Sequence, residues 1–163
     1  MLYPSDPALT GNFPFRLAFP AGIMTGMFTH KLYSVVTLAE CMQDPATLAW
    51  LVQSAVPLPE ATPPGRYPAP EEIRAVIDAL PGTRAEYHLS RTTWQVTVTS
   101  RKDVAWASLA VQDYCGDPTQ AHRVYIEGGW EEIIGLVCGR LARLCGPLVL
   151  LPDSGAPPQI ILW

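Results

Sequence analysis

The C-terminal segment from Ala121 to Trp163 constrains the fold more than any other part of the chain. It reads as a strand, a Gly-Gly pair, an amphipathic helix that ends at Gly-Pro, a buried strand, an Asp-Ser-Gly turn and a final strand. Glutamates begin this helix and arginines lie near its end, which matches the direction of the helix dipole. Because these local signals agree, the segment is typical of one that folds to a single structure.

A run of strands is predicted directly before this segment. Residues 92–99 alternate, with Trp94, Val96 and Val98 on one face and polar residues on the other. Such alternation is typical of a strand with one buried face and one hydrated face. Further strands are predicted over 84–90, 104–114 and 122–127. Short turns join them, which favours antiparallel pairing over βαβ units.

The N-terminal half predicts one strand and two helices. The apolar run over residues 31–38 indicates a strand, and Asp44-Pro45 is a good start for a helix that ends before Pro57. A second helix is predicted over residues 70–80. The sequence therefore predicts an α+β fold, with a mostly antiparallel sheet of five to seven strands and about three helices packed mainly on one face.

Composition indicates one soluble domain. The chain has 163 residues, a normal size for a single domain, and we assign the domain to residues 27–163. Prolines interrupt residues 1–26, which we interpret as an irregular, poorly ordered leader. The net charge of −4 and the lack of a basic cluster argue against nucleic-acid binding. No apolar run is long enough to span a membrane, so we expect no transmembrane helix.

The cysteines and histidines do not form a recognisable metal or catalytic motif. Cys41, Cys115, Cys138 and Cys145 lack zinc-ligand spacing, and we expect buried thiols in a reduced compartment, with Cys41 and Cys115 in open loops. A metal site drawing on Asp113, Asp117 and His122 lacks supporting spacing as well, so we interpret this stretch as a polar turn. We predict no metal ligands.

Two motifs that resemble active-site loops are better explained as turns. Asp153-Ser154-Gly155 follows a strand but precedes Ala-Pro-Pro, so it does not form a nucleophile elbow, which needs a helix after the serine. The Gly128-Gly129 pair precedes a helix, but the glutamates around it would repel a phosphate. We predict no catalytic residue and no cofactor.

Two surface regions are candidates for contact with a protein partner. Residues 58–68 form a proline-rich loop, in which Tyr67 is a candidate aromatic anchor, although a plain connector is the simpler interpretation. The acidic residues Asp113, Asp117 and Glu127 could complement a basic partner. Most other aromatic residues are expected in the core because of their periodicity.

The C-terminal layout resembles that of small immunity proteins of bacterial polymorphic-toxin systems. The resemblance covers about residues 27–163 and is carried by three stretches, Tyr125–Trp130, Leu141–Pro147 and Leu150–Gly155. It implies a cytoplasmic protein that binds a cognate toxin domain and occludes its active site. Two alternatives stay open, a small enzyme with a site of dispersed polar residues and a subunit of a homo-oligomer such as a homodimer.

Overall fold

The computed structural model describes residues 32–62, 64–89, 93–101, 105–112 and 123–162. The predicted leader over residues 1–26 lies outside the described residues. The strands are β1 (Tyr33–Thr37), β2 (Thr83–Leu89), β3 (Thr93–Ser100), β4 (Trp106–Gln112), β5 (Arg123–Gly129), β6 (Leu148–Pro152) and β7 (Gln159–Ile161). The helices are α1 (Leu38–Gln43), α2 (Pro45–Gln53), α3 (Pro70–Asp78) and α4 (Glu131–Cys145).

All seven strands of the described chain form one sheet in the order β2-β3-β4-β5-β1-β6-β7, and every pairing is antiparallel. The predicted α+β class and strand number are confirmed, and four helices are close to the expected three. β1 lies between β5 and β6, where Val35 pairs with Val124 on one side and with Leu150 on the other. The first described strand thus joins the central strands to the C-terminal hairpin.

The larger hydrophobic core lies between the sheet and the pair α3 and α4. Alternate residues of β3, such as Val96 and Val98, are fully buried against this layer. α4 contributes a broad apolar stripe that includes Val137 and Leu141, both fully buried. Burial of one Leu or Val side chain stabilises the fold by about 1.5–3 kcal/mol, so α4 is the main support of this face.

A second, smaller core lies on the opposite face of the sheet, where α1 and α2 cover β1 and β6. Leu38 and Leu51 from these helices pack with Val149, and all three are fully buried. Val36 and Leu151 pack against the same cluster from the sheet. The longest helix therefore covers one face, whereas the α1–α2 pair covers part of the other.

α1 replaces the end of the strand predicted over residues 31–38. The strand stops at Thr37, whose hydroxyl accepts a hydrogen bond from the Glu40 N–H and so caps the helix. The helix buries Cys41, so the expectation that Cys41 lies in an open loop is wrong. Burial, with a contribution from Glu40, raises the pKa of the Cys41 thiol to about 12. This thiol is therefore protonated and inert at neutral pH.

The three cysteines that the structure describes, Cys41, Cys138 and Cys145, are free and buried, and for Cys138 and Cys145 this agrees with the predicted buried thiols. Burial raises the pKa of Cys138 to about 12. The Asp-Ser-Gly stretch forms the predicted turn between β6 and β7, with Gly155 at φ 74°. No helix in the described part of the chain is long and apolar enough to cross a membrane.

Candidate functional site

One face of strands β3, β4 and β5 carries polar and aromatic side chains, and we call it the open face. It lies opposite the face on which α3 and α4 pack, and its polar and aromatic side chains keep part of their surface exposed. The open face consists of Gln95, Thr97, Trp106, Ser108, Tyr125 and Glu127. The alternation of β3 predicted this hydrated face, and the antiparallel register extends it across the three strands.

Glu127 lies at the centre of the open face and is fixed by two hydrogen bonds. Gln95 Nε2 donates to one carboxylate oxygen at 2.9 Å, and Ser108 Oγ donates to the other at 3.1 Å. The register of β4 and β5 shifts between Ser108 and Leu109, and such a bulge can re-aim a side chain. Both donors are neutral, so they orient the carboxylate without cancelling its negative charge.

Trp106 supplies an aromatic surface beside this carboxylate. Its ring lies against Gly128, where an added Cβ would meet the ring at 3.4 Å. The missing side chain at Gly128 thus leaves room for the indole on the sheet. The ring stays partly exposed, so the expectation that most aromatic residues enter the core does not hold for Trp106 or for Tyr125. Exposed, well-supported tryptophan is typical of interface anchors.

Tyr67 lies at the border of the open face, where it joins the proline-rich loop to α1. Its hydroxyl donates a short hydrogen bond to a Glu40 carboxylate oxygen. Burial, and then this bond to Glu40, raise the pKa of Tyr67 above its ordinary value. Arg123 lies close to both groups and hydrogen-bonds to Tyr125 of the open face. Tyr67 therefore takes part in a polar cluster that borders the sheet.

The proline-rich loop is fixed to three helices around Tyr67. The Arg66 N–H donates to the Cys145 carbonyl oxygen at the end of α4, at 2.9 Å. The Arg66 guanidinium donates to both oxygens of Glu72 in α3, each at 2.7 Å. With the Tyr67–Glu40 bond to α1, these contacts hold the loop in place. The long loop over residues 58–68 thus links the two helical layers, and we call it the strap.

The Arg66–Glu72 pair predicts a pH-dependent contribution to stability. The hydrogen bonds from Arg66, and then that from the Ala69 N–H, lower the pKa of Glu72 from 4.5 to about 2. Because the folded pKa is depressed, the pair stabilises the fold fully above about pH 4.5 and less as the pH falls to about 2. The Glu72→Gln variant should melt at a lower temperature than the wild type at neutral pH.

This difference in melting temperature should close between about pH 4.5 and pH 2, which thermal unfolding across the pH range measures. Glu71→Gln is the matched control, because it removes one carboxylate from the same helical turn and leaves the Arg66–Glu72 pair intact. A difference that stays constant down to pH 2 would contradict the assigned role of Glu72.

The structure places two of the four predicted contact residues. Glu127 is central to the open face, and Tyr67 borders it. Asp113 and Asp117 lie outside the described residues, as does the turn assigned to them. Sequence reasoning placed Gln95 on the hydrated face of β3 but missed Ser108 and Trp106 as members of this surface. The alternation of Trp106 and Ser108 in β4 was the available signal, but the neighbouring apolar residues obscured it.

The described part of the chain offers little room for a small molecule between α4, β6 and β7. A cavity there, lined by Tyr33, Glu131, Leu150 and Gln159, has a volume of about 10 Å³. That volume holds one water molecule at most. Among the residues that the structure describes, no three His, Cys, Asp or Glu side chains are grouped to hold a metal ion.

Comparisons of the chain with protein-family models, with curated proteins and with solved structures give no match. What the open face can do follows from its own chemistry. It offers a fixed carboxylate, an aromatic ring, hydroxyl groups and an amide on a broad sheet. Such a mixture of an aromatic anchor with hydrogen-bonding groups is typical of protein-binding surfaces.

Proposed function

We propose that the chain is a non-enzymatic protein-binding module that neutralises a cognate bacterial toxin domain as its immunity protein. The observation that carries the proposal is the open face, where the Glu127 carboxylate is held by Gln95 and Ser108 beside Trp106. In this proposal the open face covers the toxin's active site and excludes its substrate.

The shape of the surface supports a protein as the partner. Three adjacent strands present a continuous face, and Trp106 provides an aromatic group that a partner can cover. Interfaces of this kind bury about 800 Å² on each partner, with aromatic residues near the centre. The strap around Tyr67 borders the face and can limit how a partner is oriented.

Charge favours a partner with a basic surface. The chain has a net charge of −4, and the two groups that hold the Glu127 carboxylate are neutral. Opposite charges across an interface speed association and select among partners. Toxin domains that act on nucleic acids carry basic surfaces, so a basic toxin domain fits this chemistry. We propose Asp113 and Asp117 as further acidic contacts with this partner. We propose the cytoplasm as the location of the protein.

We expect charge reversal at Glu127 to weaken capture of the partner. The tagged wild-type chain should capture a specific basic protein from a lysate of its host, and Glu127→Arg should weaken that binding at least ~10-fold, equivalent to ~1.4 kcal/mol. Glu71→Arg makes the same charge change on exposed α3, against the opposite face, and should leave capture unchanged. Equal loss of capture with both variants would indicate a general effect of net charge and would contradict a specific contact at Glu127.

The immunity role is tested with the captured protein itself. Expression of that protein alone should arrest growth of a heterologous bacterium, and co-expression of the wild-type chain should restore growth, whereas the Glu127→Arg variant should not. Thermal unfolding of the purified variant verifies that it is folded. A captured protein without toxicity, or capture of no protein at all, would contradict the proposal.

A further inference from the structure

Strand β2 forms one end of the sheet and carries the pattern of a strand that pairs with a copy of itself. Its seven residues pair in unbroken register with β3, from Thr83 opposite Ser100 to Leu89 opposite Trp94. Within the described part of the chain, its other side has no strand partner. The strand lacks proline and bulges, two of the devices by which proteins protect an exposed edge.

The charges on β2 complement themselves when the strand meets an antiparallel copy about Ala85. In that arrangement Ala85 lies opposite Ala85 of the copy, and Arg84 of each chain lies opposite Glu86 of the other. Arg84 and Glu86 are both exposed and project from the same face of the strand. Opposite charges directly across a strand pair are stabilising, and a two-fold axis generates two such pairs.

Other antiparallel registers are less favourable. Centring the pair on Glu86 places the two Glu86 carboxylates opposite each other and Arg84 opposite His88, so like charges meet. Centring it on Tyr87 pairs Glu86 with His88, so Arg84 no longer lies opposite Glu86 of the copy. Of these three registers, the one about Ala85 gives two reciprocal pairs between a permanently charged arginine and a carboxylate.

We propose that a second copy of this chain docks on β2 in the Ala85 register and extends the two sheets into one. Arg84 already takes part in an interaction within its own chain, and its guanidinium has five N–H donors, enough to serve a second partner. The dimer joins β2 to β2 and leaves β3, β4 and β5 free. The inference is therefore independent of what binds the open face.

Charge-swap variants of the full chain test the proposal by analytical ultracentrifugation at low ionic strength. The wild type should dimerise, and added salt should weaken the dimer, because both ion pairs are exposed. Arg84→Glu places two carboxylates opposite each other in each cross-strand pair, and Glu86→Arg places two guanidinium groups opposite each other there. Each variant should therefore associate at least ~10-fold more weakly than the wild type. A 1:1 mixture of the two variants should dimerise again, since both cross-strand pairs are then complementary. The double variant, Arg84→Glu with Glu86→Arg, should dimerise for the same reason.

Symmetric crosslinking tests the register. Ala85→Cys in a Cys115→Ser background should form an intermolecular disulfide on mild oxidation, because directly opposed strand residues meet the Cα separation that a disulfide needs. Thr83→Cys in the same background should crosslink much less, because Thr83 lies opposite Tyr87 of the copy and takes no part in the ion pairs. The three cysteines that remain are buried. A wild-type chain that stays monomeric would overturn the proposal, and β2 would then be available to a strand of a different protein. A dimer whose association neither charge variant weakens would overturn it too.

Discussion

Replacing Gly129 with alanine is expected to destabilise the protein by about 3 kcal/mol or more. Gly129 has φ 136°, a conformation that residues with a side chain rarely adopt. An added Cβ would lie 2.4 Å from Ala107 Cα and 2.6 Å from the Trp106 carbonyl oxygen, both backbone atoms. The backbone of β4 would have to move, and this would displace Trp106, which belongs to that strand.

Gly139→Ala is the matched control for this substitution. Gly139 lies inside α4, and apart from its chain neighbours and the backbone of its own helix, an added Cβ there would meet no atom within 4 Å. Alanine in a helix interior is more stable than glycine by about 0.5–1 kcal/mol, so this variant should be more stable than the wild type. Urea denaturation gives both free energies of unfolding. Similar free energies of unfolding for the two variants would contradict the close approach of the Gly129 backbone to β4.

Replacing Leu51 with alanine is expected to destabilise the protein by about 2–5 kcal/mol. Leu51 is fully buried in the smaller core between α1, α2 and the sheet, where its removal leaves a cavity. The next residue, Val52, is 60% exposed on the same helix. Val52→Ala should therefore change the free energy of unfolding by no more than about 0.5 kcal/mol.

This pair of variants tests whether α2 covers the second face of the sheet. Urea denaturation of Leu51→Ala and Val52→Ala gives the two changes under the same conditions, and both substitutions shorten an aliphatic side chain in the same helix. Equal and small effects would mean that Leu51 is hydrated in solution. The smaller core would then be absent, and the face of β1 and β6 would be exposed together with the open face.

Local sequence patterns predicted the elements whose periodicity is clean. Val96 and Val98 alternate with polar residues in β3, and the apolar stripe of α4 repeats at helical spacing, so both were assigned correctly. The short helix α1 was missed, because Leu38–Gln43 spans less than two turns and follows an apolar strand without a break. The position of β1 between β5 and β6 depends on pairing between distant segments, which leaves no local signal.

The candidate site was less predictable than the fold. Glu127 was identified by its charge, but its hydrogen bonds to Gln95 and Ser108 depend on strand pairing and on the bulge in β4. Trp106 was assigned to the core with the other aromatic residues. In β4 small and apolar residues occupy both faces, so the alternation that marks the hydrated face of β3 is not visible there.

Photo-crosslinking in the host lysate tests most directly whether the open face binds the partner. A benzoylphenylalanine at Thr97, which lies opposite Ser108 on this face, should crosslink to the protein that the wild-type chain captures. The same group at Glu71, exposed on α3 and directed away from the open face, should not. Crosslinking from position 97 alone is the predicted result. Crosslinking from position 71 alone, or equally from both, would contradict the open face as the binding surface.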